Sequence, residues 1–196
     1  MTCTDLSSLK VELLAPTFDL DKMSVSEAIS KRRAVREYSK REPNKQILSN
    51  LLYFSAGITD KEKGLQASPT ANNRQEVDLY VAAACGVFRY DAAQHVLIRV
   101  SEGDHRAETG EQDFCKDAQY NFIYVFNAEK SAEVTDENKR KFYTGTDCAF
   151  MASQTALYAT AVGLGSVVRA WFDKAKVAKI CALEDGDIPA LVLSVG

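Results

Sequence analysis

Imidazole side chains are scarce in this sequence. It has two histidines, His95 and His105, and charged residues separate them. A histidine-based metal centre needs more nitrogen ligands than these two positions supply. A serine or cysteine nucleophile needs a histidine base beside it. We therefore expect neither a metal site nor an enzyme of the Ser-His or Cys-His type.

Cysteine motifs are absent as well. The five cysteines are odd in number and form no CxxC pair, and they are scattered over the chain as Cys3, Cys85, Cys115, Cys148 and Cys181. This pattern excludes a disulfide framework and a zinc site built from cysteine pairs. We expect reduced thiols in or near the core of a cytoplasmic protein.

Long apolar runs and a strong excess of one charge are also missing. No apolar run approaches the length of a membrane span, and the first fifteen residues lack the apolar centre of a signal peptide. A net charge of -3 argues against a nucleic-acid surface as the main function. With 196 residues, 46% of them hydrophobic, the chain is long enough for one well-filled domain. We assign residues 1–22 to an extended N-terminal arm and residues 23–196 to that single domain.

An arginine cluster follows a clear helix signal. Ser24 and Glu27 have the spacing of a capping box, which predicts that a helix begins here. One further turn places Arg32, Arg33 and Arg36 on one side of the helix end. Guanidinium groups about 6 Å apart near a surface repel by roughly 2–3 kcal/mol before salt screening. These arginines either complement the helix C-terminus or bind an anion such as a phosphate.

The rest of the chain predicts alternating helices and strands. The expected elements are a helix from Asn44 that Gly57 ends in a left-handed conformation, a loop over 59–67, a strand over 78–84, a hairpin over 86–100, a helical region over 103–118, a central strand over 120–127, helices over 136–142 and 144–162, a strand over 166–171, a helix over 173–183 and a strand over 189–195. This order predicts an α+β fold with a mixed or antiparallel sheet between helices. Gly163-Leu-Gly165 follows a helix rather than a strand, so it is not a dinucleotide-binding fingerprint.

Two segments have more than one interpretation. Residues 68–75 are small and polar, which is typical of a plain connection or of a loop that offers backbone N–H groups and amides to a ligand. The helix over 144–162 is rich in Ala, Ser and Thr, so another helix can approach it closely. It is either a core helix or a subunit-contact helix.

Several of these stretches together resemble the FMN-dependent nitroreductase superfamily. Residues 32–38, Arg-Arg-Ala-Val-Arg-Glu-Tyr, look like its Arg-Arg-Ser-x-Arg-x-Phe opening, and residues 68–75, Ser-Pro-Thr-Ala-Asn-Asn-Arg-Gln, are similar to its Pro-Ser-Ser-x-Asn-x-Gln loop. Residues 163–173 resemble its Gly-Leu-Gly segment. The hairpin region 86–104 looks more particularly like the branch that includes azoline dehydrogenases of peptide-modifying pathways. The resemblance runs from about Met23 to the end of the chain and favours the anion-binding interpretation of the arginines.

The resemblance implies a nitroreductase-like fold, with a central sheet flanked by helices, in an intertwined homodimer that binds FMN at the subunit interface. Arg32 and Arg36 are expected to meet the phosphate, ribityl chain or pyrimidine edge, and Arg33 and Ala34 to line the flavin. The second subunit is expected to contribute Pro69, Thr70, Ala71 and Asn73, with Gln75 supporting that loop. The backbone of Val168, Arg169 and Ala170 is expected to cover the remaining side, near the flavin N5. The helix over 144–162 then becomes the dimer contact.

The implied chemistry belongs to the flavin. FMN takes hydride from NADH or NADPH and passes reducing equivalents to a nitroaromatic, a quinone or a related small electrophile in a ping-pong cycle. No catalytic side chain is expected except Arg36 or Arg32, whose charge favours the reduced flavin anion. Two alternatives are a flavin-dependent dehydrogenase of azoline rings in peptides, with oxygen as acceptor, and a flavin-binding protein without turnover.

The sequence departs from the family pattern in ways that bear on flavin binding. Ala34 and Ala71 replace hydroxyl residues, and Glu76 stands where many members have proline. Relatives usually continue beyond the position of Gly196 into a tail with a basic, phosphate-binding residue. Losing one charge-assisted bond of that kind costs about 1.5–3 kcal/mol of binding free energy. We therefore expect weak or partial occupancy by FMN.

Overall fold

The computed structural model describes residues 6–39 and 44–196, and a large antiparallel sheet lies at its centre. The strands are β1 (Lys10–Glu12), β2 (Ile58–Asp60), β3 (Leu65–Gln66), β4 (Val77–Ala83), β5 (Gly86–Asp91), β6 (Val96–Glu102), β7 (Tyr120–Phe126), β8 (Ser166–Arg169) and β9 (Ile188–Val195). Seven of them pair in the order β1-β6-β5-β4-β7-β9-β8, and β2 and β3 form a separate hairpin. All of these pairs are antiparallel.

Four α-helices flank this sheet in the described part of the chain. They are α1 (Val25–Lys31), α2 (Lys45–Ala56), α3 (Glu137–Ala161) and α4 (Lys174–Ile180). The predicted caps of three of them are confirmed. Ser24 and Glu27 form a complete capping box on α1, the Asn44 side chain accepts from the N–H of Ile47 in α2, and Asp173 caps α4.

The core lies on both faces of the sheet. Every residue of β7 is buried, because α2 and α3 cover one face of the central strands and α4 covers part of the other. Strands covered on both faces are almost continuously apolar, so the prediction of a central strand over 120–127 is confirmed. The predicted hairpin over 86–100 is also confirmed, as β5 and β6.

The arginine cluster does not lie on a helix, which corrects the prediction. The α1 helix ends at Lys31, and Arg32 is its C-cap with φ -55° and ψ 123°. Arg33 and Arg36 belong to the segment after the helix. Between them, Ala34 and Val35 pair with Ser166. A seven-residue helix has little stability of its own, so this tertiary pairing decides where it ends.

Other boundaries also differ from the predictions. The helices expected over 136–142 and 144–162 are one continuous helix, α3, which passes through Gly145 without a break. The region 103–118 forms two short 3-10 helices, Arg106–Thr109 and Asp113–Lys116, and the loop expected over 59–67 contains the β2–β3 hairpin. These differences arise from packing against distant parts of the chain, which the periodicity of a short segment does not predict.

Gly57 ends α2 in an extended conformation, with φ -69° and ψ 153°, so the predicted left-handed cap is wrong. The residue has a different use. A Cβ atom at this position would lie 2.5 Å from Cδ2 of Tyr53 and 2.6 Å from its carbonyl oxygen. Glycine is therefore required by close approach of the chain to the preceding helical turn rather than by a positive φ angle.

The N-terminal segment joins the sheet. Strand β1 pairs with β6 at one edge, and the side chains of Leu6 and Val11 are buried. The thiols of Cys115, Cys148 and Cys181 are buried and free, and Cys85 is half-buried, which confirms the predicted thiols for these four. Cys3 lies outside the described residues. In the described residues, none of the helices combines the length and the apolar character that a bilayer span requires.

Candidate active site

The segment after α1 lies beside the start of β8. Ala34 forms a parallel bridge with Ser166, and the N–H of Val35 donates to the Ser166 carbonyl at 2.9 Å. Gly165 allows this approach, because a Cβ atom there would lie 2.6 Å from Cγ1 of Val35. The pairing brings together two of the three sequence motifs, residues 32–38 and 163–173, within a single chain.

The three arginines of the cluster have different surroundings. Arg33 turns back onto the helix end, and its Nη1 donates to the carbonyls of Ser30 and Arg32, each at 2.9 Å. For this one residue, the helix-complementing interpretation is correct. Arg32 and Arg36 are exposed, and neither forms an ion pair within the described part of the chain. These two guanidinium groups are available to an anion.

At the end of β8, successive side chains alternate between an exposed and a buried face of the strand. Val168 is 43% exposed, and Ala170 and Trp171 are exposed beyond it, whereas Arg169 is only 5% exposed. Successive side chains of a strand point to opposite faces, so Arg169 points away from the exposed side. A ligand on the exposed side of β8 can meet the backbone of Arg169 but not its guanidinium group.

The Arg169 side chain instead connects three parts of the fold. Its Nε donates to Oγ of Ser194 at 3.1 Å, Nη1 donates to the Thr109 carbonyl at 2.6 Å, and Nη2 donates to Thr109 Oγ1 at 3.1 Å and to Asn121 Oδ1 at 2.9 Å. No carboxylate among the described residues pairs with it. Burial lowers the pKa of Arg169 from its ordinary value. Neutral acceptors and the Phe114 ring, whose centroid lies 5.9 Å from Cζ of Arg169, compensate this buried cation.

The loop 69–73 is bent and is attached to α3. The N–H of Ala71 donates to Oδ2 of Asp147 at 3.0 Å, and Thr70 Oγ1 accepts from the N–H of Gln75 at 3.0 Å. Asn72 and Asn73 have φ angles of 55° and 52°. Asparagine tolerates this left-handed region better than most residues. Pro69 and Asn73 are exposed, and Thr70 and Ala71 are half-buried.

The exit of the loop contains two residues with different roles. Gln75 has φ 54°, and its Nε2 donates to the Gly64 carbonyl and to Asn73 Oδ1, so it ties the loop to the β2–β3 hairpin. Glu76 is fully buried, and neither of its carboxylate oxygens has a hydrogen-bond partner among the described residues. Burial raises the pKa of Glu76 to about 7, and the neighbouring carboxylate of Asp147 adds to the effect.

Sequence reasoning missed Asp147 and the buried state of Glu76. Asp147 lies on α3 and is only 4% exposed. In the sequence it stands between Thr146 and Cys148 in a helix of small residues, where an acidic residue is typical of an exposed face. The one available signal was that Glu76 directly precedes an apolar strand.

The loop 69–73 and the arginine segment lie far apart in one chain. The loop is attached at Asp147, in the first half of α3, whereas the arginine segment meets Ser166, just after the helix ends at Ala161. From Asp147 to Ala161 the helix rises about 21 Å. The structure therefore does not bring these two groups of predicted site residues together within one copy of the chain.

A substitution at Arg169 tests its structural role. We expect Arg169→Lys to lower the free energy of unfolding by about 2–3 kcal/mol, because lysine cannot reproduce the four bonds of the planar guanidinium group. Urea unfolding followed by circular dichroism measures the change. Arg89→Lys, at an exposed position on β5, is the control and should change the value by less than about 0.5 kcal/mol. An unchanged unfolding midpoint in Arg169→Lys contradicts the role.

Comparison with known proteins identifies the family. The model of the nitroreductase family matches residues 29–196. The nitroreductase-like protein MJ1384 of Methanocaldococcus jannaschii is 26% identical over 189 residues, which cover 91% of this chain and 93% of that protein. A crystal structure of a nitroreductase-like protein from Ralstonia eutropha has a TM-score of 0.90 and 28% identity, over 97% of this chain and 90% of that one.

One further solved structure shares the fold at lower identity. The Escherichia coli microcin synthetase McbBCD complex contains a chain with a TM-score of 0.72 and 16% identity, over 93% of this chain and 74% of that chain. The family match over most of the sequence, the similar curated protein and the similar folds agree with the motifs on residues 32–38, 68–75 and 163–173. The chain therefore belongs to the nitroreductase family, a family of flavin-dependent oxidoreductases.

Proposed function

We propose that the protein is an FMN-dependent oxidoreductase that acts as a homodimer. In this proposal it takes hydride from NADH or NADPH and reduces a nitroaromatic, a quinone or a related small electrophile. The observation that carries the proposal is the position of Arg32 and Arg36. Both side chains are exposed and form no ion pair with the described residues, and they flank Ala34, which pairs with Ser166 at the start of β8.

The described residues fit a flavin mononucleotide. Arg32 and Arg36 can bind phosphate oxygens or the pyrimidine edge, because guanidinium groups match such acceptors in pairs. In this proposal Ala34 and the backbone of residues 168–170 line the flavin beside these arginines. When bound, FMN supplies the hydride-transfer chemistry. The protein supplies positive charge near the pyrimidine, which favours the reduced anion.

Two copies of the chain are needed for a complete site in this proposal. Pro69, Thr70, Ala71 and Asn73 belong to the loop that is attached to α3 at Asp147, and the arginine segment lies near the end of α3 at Ala161. If two α3 helices pack antiparallel around Gln154, the loop of one subunit lies opposite the arginine segment of its partner. Such a two-fold arrangement forms two equal sites.

The exposed face of α3 has the features of such a contact. It contains small residues and two exposed phenylalanines: Phe142, Gly145, Ala149, Phe150 and Ser153. An apolar groove of about 390 Å³ adjoins it, lined by Val25, Phe54, Leu157, Tyr158 and Ala161 among others. Antiparallel packing around Gln154 brings Phe150 of one copy opposite position 158 of the other, at the groove. A protruding ring and a groove on one helix face provide the self-complementarity that a two-fold interface requires.

A substitution at Phe150 tests the subunit contact. We expect Phe150→Glu to produce a monomer and to abolish FMN binding, because a buried unpaired carboxylate is costly and the two halves of each site then separate. Analytical ultracentrifugation and FMN fluorescence titration measure both effects. Leu9→Glu, at a 70% exposed apolar residue far from α3 in sequence, is the control that should remain dimeric and bind FMN. A monomeric Phe150→Glu protein with unchanged FMN affinity argues against an interfacial flavin.

Substitutions at the arginines test the flavin contact. We expect Arg32→Ala and Arg36→Ala each to weaken FMN binding by roughly tenfold to a hundredfold, because each removes a charge-assisted hydrogen bond. Parallel titration with riboflavin separates their roles: the variant that loses affinity for FMN but not for riboflavin has lost a phosphate contact. Arg89→Ala is the matched control. If both variants bind FMN as the unsubstituted protein does, the arginine segment is not the flavin site.

Redox titration tests the reaction itself. We expect purified protein supplied with FMN to show flavin absorption and to bleach when NADH or NADPH is added without oxygen. A nitroaromatic or quinone should restore the colour. Absence of bleaching with both nicotinamides contradicts the proposed activity.

A dehydrogenase of azoline rings in peptides is the second candidate function. It is favoured by the resemblance of the 86–104 hairpin region to that branch, and the fold that the chain shares with the microcin synthetase complex is compatible with it. Oxygen-dependent conversion of an azoline peptide without nicotinamide oxidation distinguishes it from the first function. Bound flavin without either reaction indicates a flavin-binding protein without turnover. This outcome is tested because Ala34 and Ala71 replace hydroxyl residues of the family pattern.

A further inference from the structure

Two carboxyl groups are buried together beneath the loop 69–73. Glu76 leads from the loop into β4 and is 0% exposed, and Asp147 lies on α3 and is 4% exposed. The Asp147 carboxylate lies close enough to Glu76 to help raise the pKa of Glu76. Two like charges in a buried site repel strongly, so such a pair normally carries one proton.

The hydrogen bonds around the pair indicate where that proton lies. Asp147 accepts two bonds, from the N–H of Ala71 to Oδ2 and from Thr146 Oγ1 to Oδ1, each at 3.0 Å. Neither oxygen of Glu76 receives a bond from the described residues. A charged Glu76 would therefore be a buried carboxylate with no donor near it except its own N–H, which is unfavourable. The hydrogen bonds favour the proton on Glu76.

The other charged and titratable groups described near Glu76 do not neutralise an ionised Glu76. Arg74, from the loop, directs Nη1 to the Ala71 carbonyl at 3.1 Å and lies over the Tyr143 ring at 5.8 Å, and it forms no ion pair with Glu76. The attraction of Arg74 is the smallest of the influences on Glu76. Cys148, on α3, is a buried neutral thiol whose pKa is raised by burial and by both carboxylates.

We propose that Glu76 and Asp147 share one proton, and that this protonated pair holds residues 70–75 in the shape that receives the flavin. The inference rests on the proposed function, because it assigns a positioning role to residues beneath the flavin loop. The link is the bond from Ala71 to Asp147, which fixes the start of the turn. Three residues of this loop, Asn72, Asn73 and Gln75, have positive φ angles and depend on such anchoring.

Loss of the proton to solvent leaves two carboxylates facing each other in a buried site. Their repulsion displaces one of them, and the anchor at Ala71 loosens. Burial raises the pKa of Glu76 to about 7, so this change occurs close to neutral pH. Because this pKa lies above its ordinary value, the folded state binds the proton more tightly than the unfolded state. The resulting stability is present at low pH and is lost as the pH rises through about 7.

Flavin affinity as a function of pH tests the proposal. We expect the unsubstituted protein to bind FMN about tenfold more weakly at pH 8 than at pH 6, given a midpoint near 7. Glu76→Gln keeps the shape of a protonated glutamic acid. It should bind FMN at pH 6 and at pH 8 without this tenfold difference in affinity. Because the FMN phosphate titrates equally in both experiments, the ratio of the FMN affinities of the two proteins at each pH does not depend on it. Glu133→Gln, at an exposed position, is the control.

Asp147→Asn gives a second, independent variant. The amide oxygen can still accept from Ala71, but the negative charge beside Glu76 is gone. We expect the weakening of FMN binding between pH 6 and pH 8 to be largely lost, because an ionised Glu76 then faces a neutral amide instead of a second carboxylate. A pH dependence that is identical in the unsubstituted protein, Glu76→Gln and Asp147→Asn overturns the proposal.

The protein without flavin provides a readout that does not depend on the proposed function. Infrared difference spectroscopy should detect the carbonyl stretch of a protonated carboxylic acid at pH 6, and this band should disappear near neutral pH. Glu76→Gln should lack it. The absence of the band in the unsubstituted protein overturns the shared proton. A titrating band in a protein that binds no FMN at any pH supports the shared proton and instead overturns the flavin function.

Discussion

One backbone contact determines how the candidate site is built. The parallel bridge between Ala34 and Ser166 holds the segment after α1 against β8 and so ends the helix at Lys31. Had the helix continued, the arginines would lie on one side of its last turn. The bridge instead extends the segment along the edge of the sheet, beside the start of β8. A position for an anion thus arises from strand-like pairing rather than from a helix terminus.

The chain uses its arginines in three different ways. Arg33 bonds to carbonyls at the end of α1, and Arg169 is enclosed by neutral acceptors. Arg32 and Arg36 are exposed and form no ion pair with the residues that the structure describes. Burial of a cation without a counter-charge is unfavourable, and only a full set of hydrogen bonds makes it tolerable. Arg169 therefore rigidifies β8, whose backbone belongs to the candidate site. The same residue type caps a helix, supports the core and, in the proposed function, binds the flavin.

Local signals in the sequence predicted the beginnings of helices well. Ser24, Asn44 and Asp173 cap helices because side-chain oxygens bond to nearby N–H groups, an interaction that residues within one turn decide. The apolar run at β7 was equally informative, because burial on both faces leaves no polar positions. The order of the motifs indicated the family, and the match over residues 29–196 agrees with it.

Distant contacts account for what the sequence did not predict. The end of α1, the fusion of two expected helices into α3 and the inward direction of Arg169 all depend on segments far away in the chain. The burial of Glu76 is of the same kind, since the residues that enclose it come from α3 and the loop. Periodicity reports which residues share a face but not which partner covers that face.

The short first strand has a consequence for how the protein can associate. Strand β1 has three residues, two of them the charged Lys10 and Glu12, and it covers the outer side of β6. At the opposite edge, the Ala34 bridge covers the start of β8. Uncovered sheet edges recruit strands from other molecules and lead to aggregation, and short charged edge strands prevent this. Sheet extension between molecules is thus disfavoured at the β1 edge and at the start of β8.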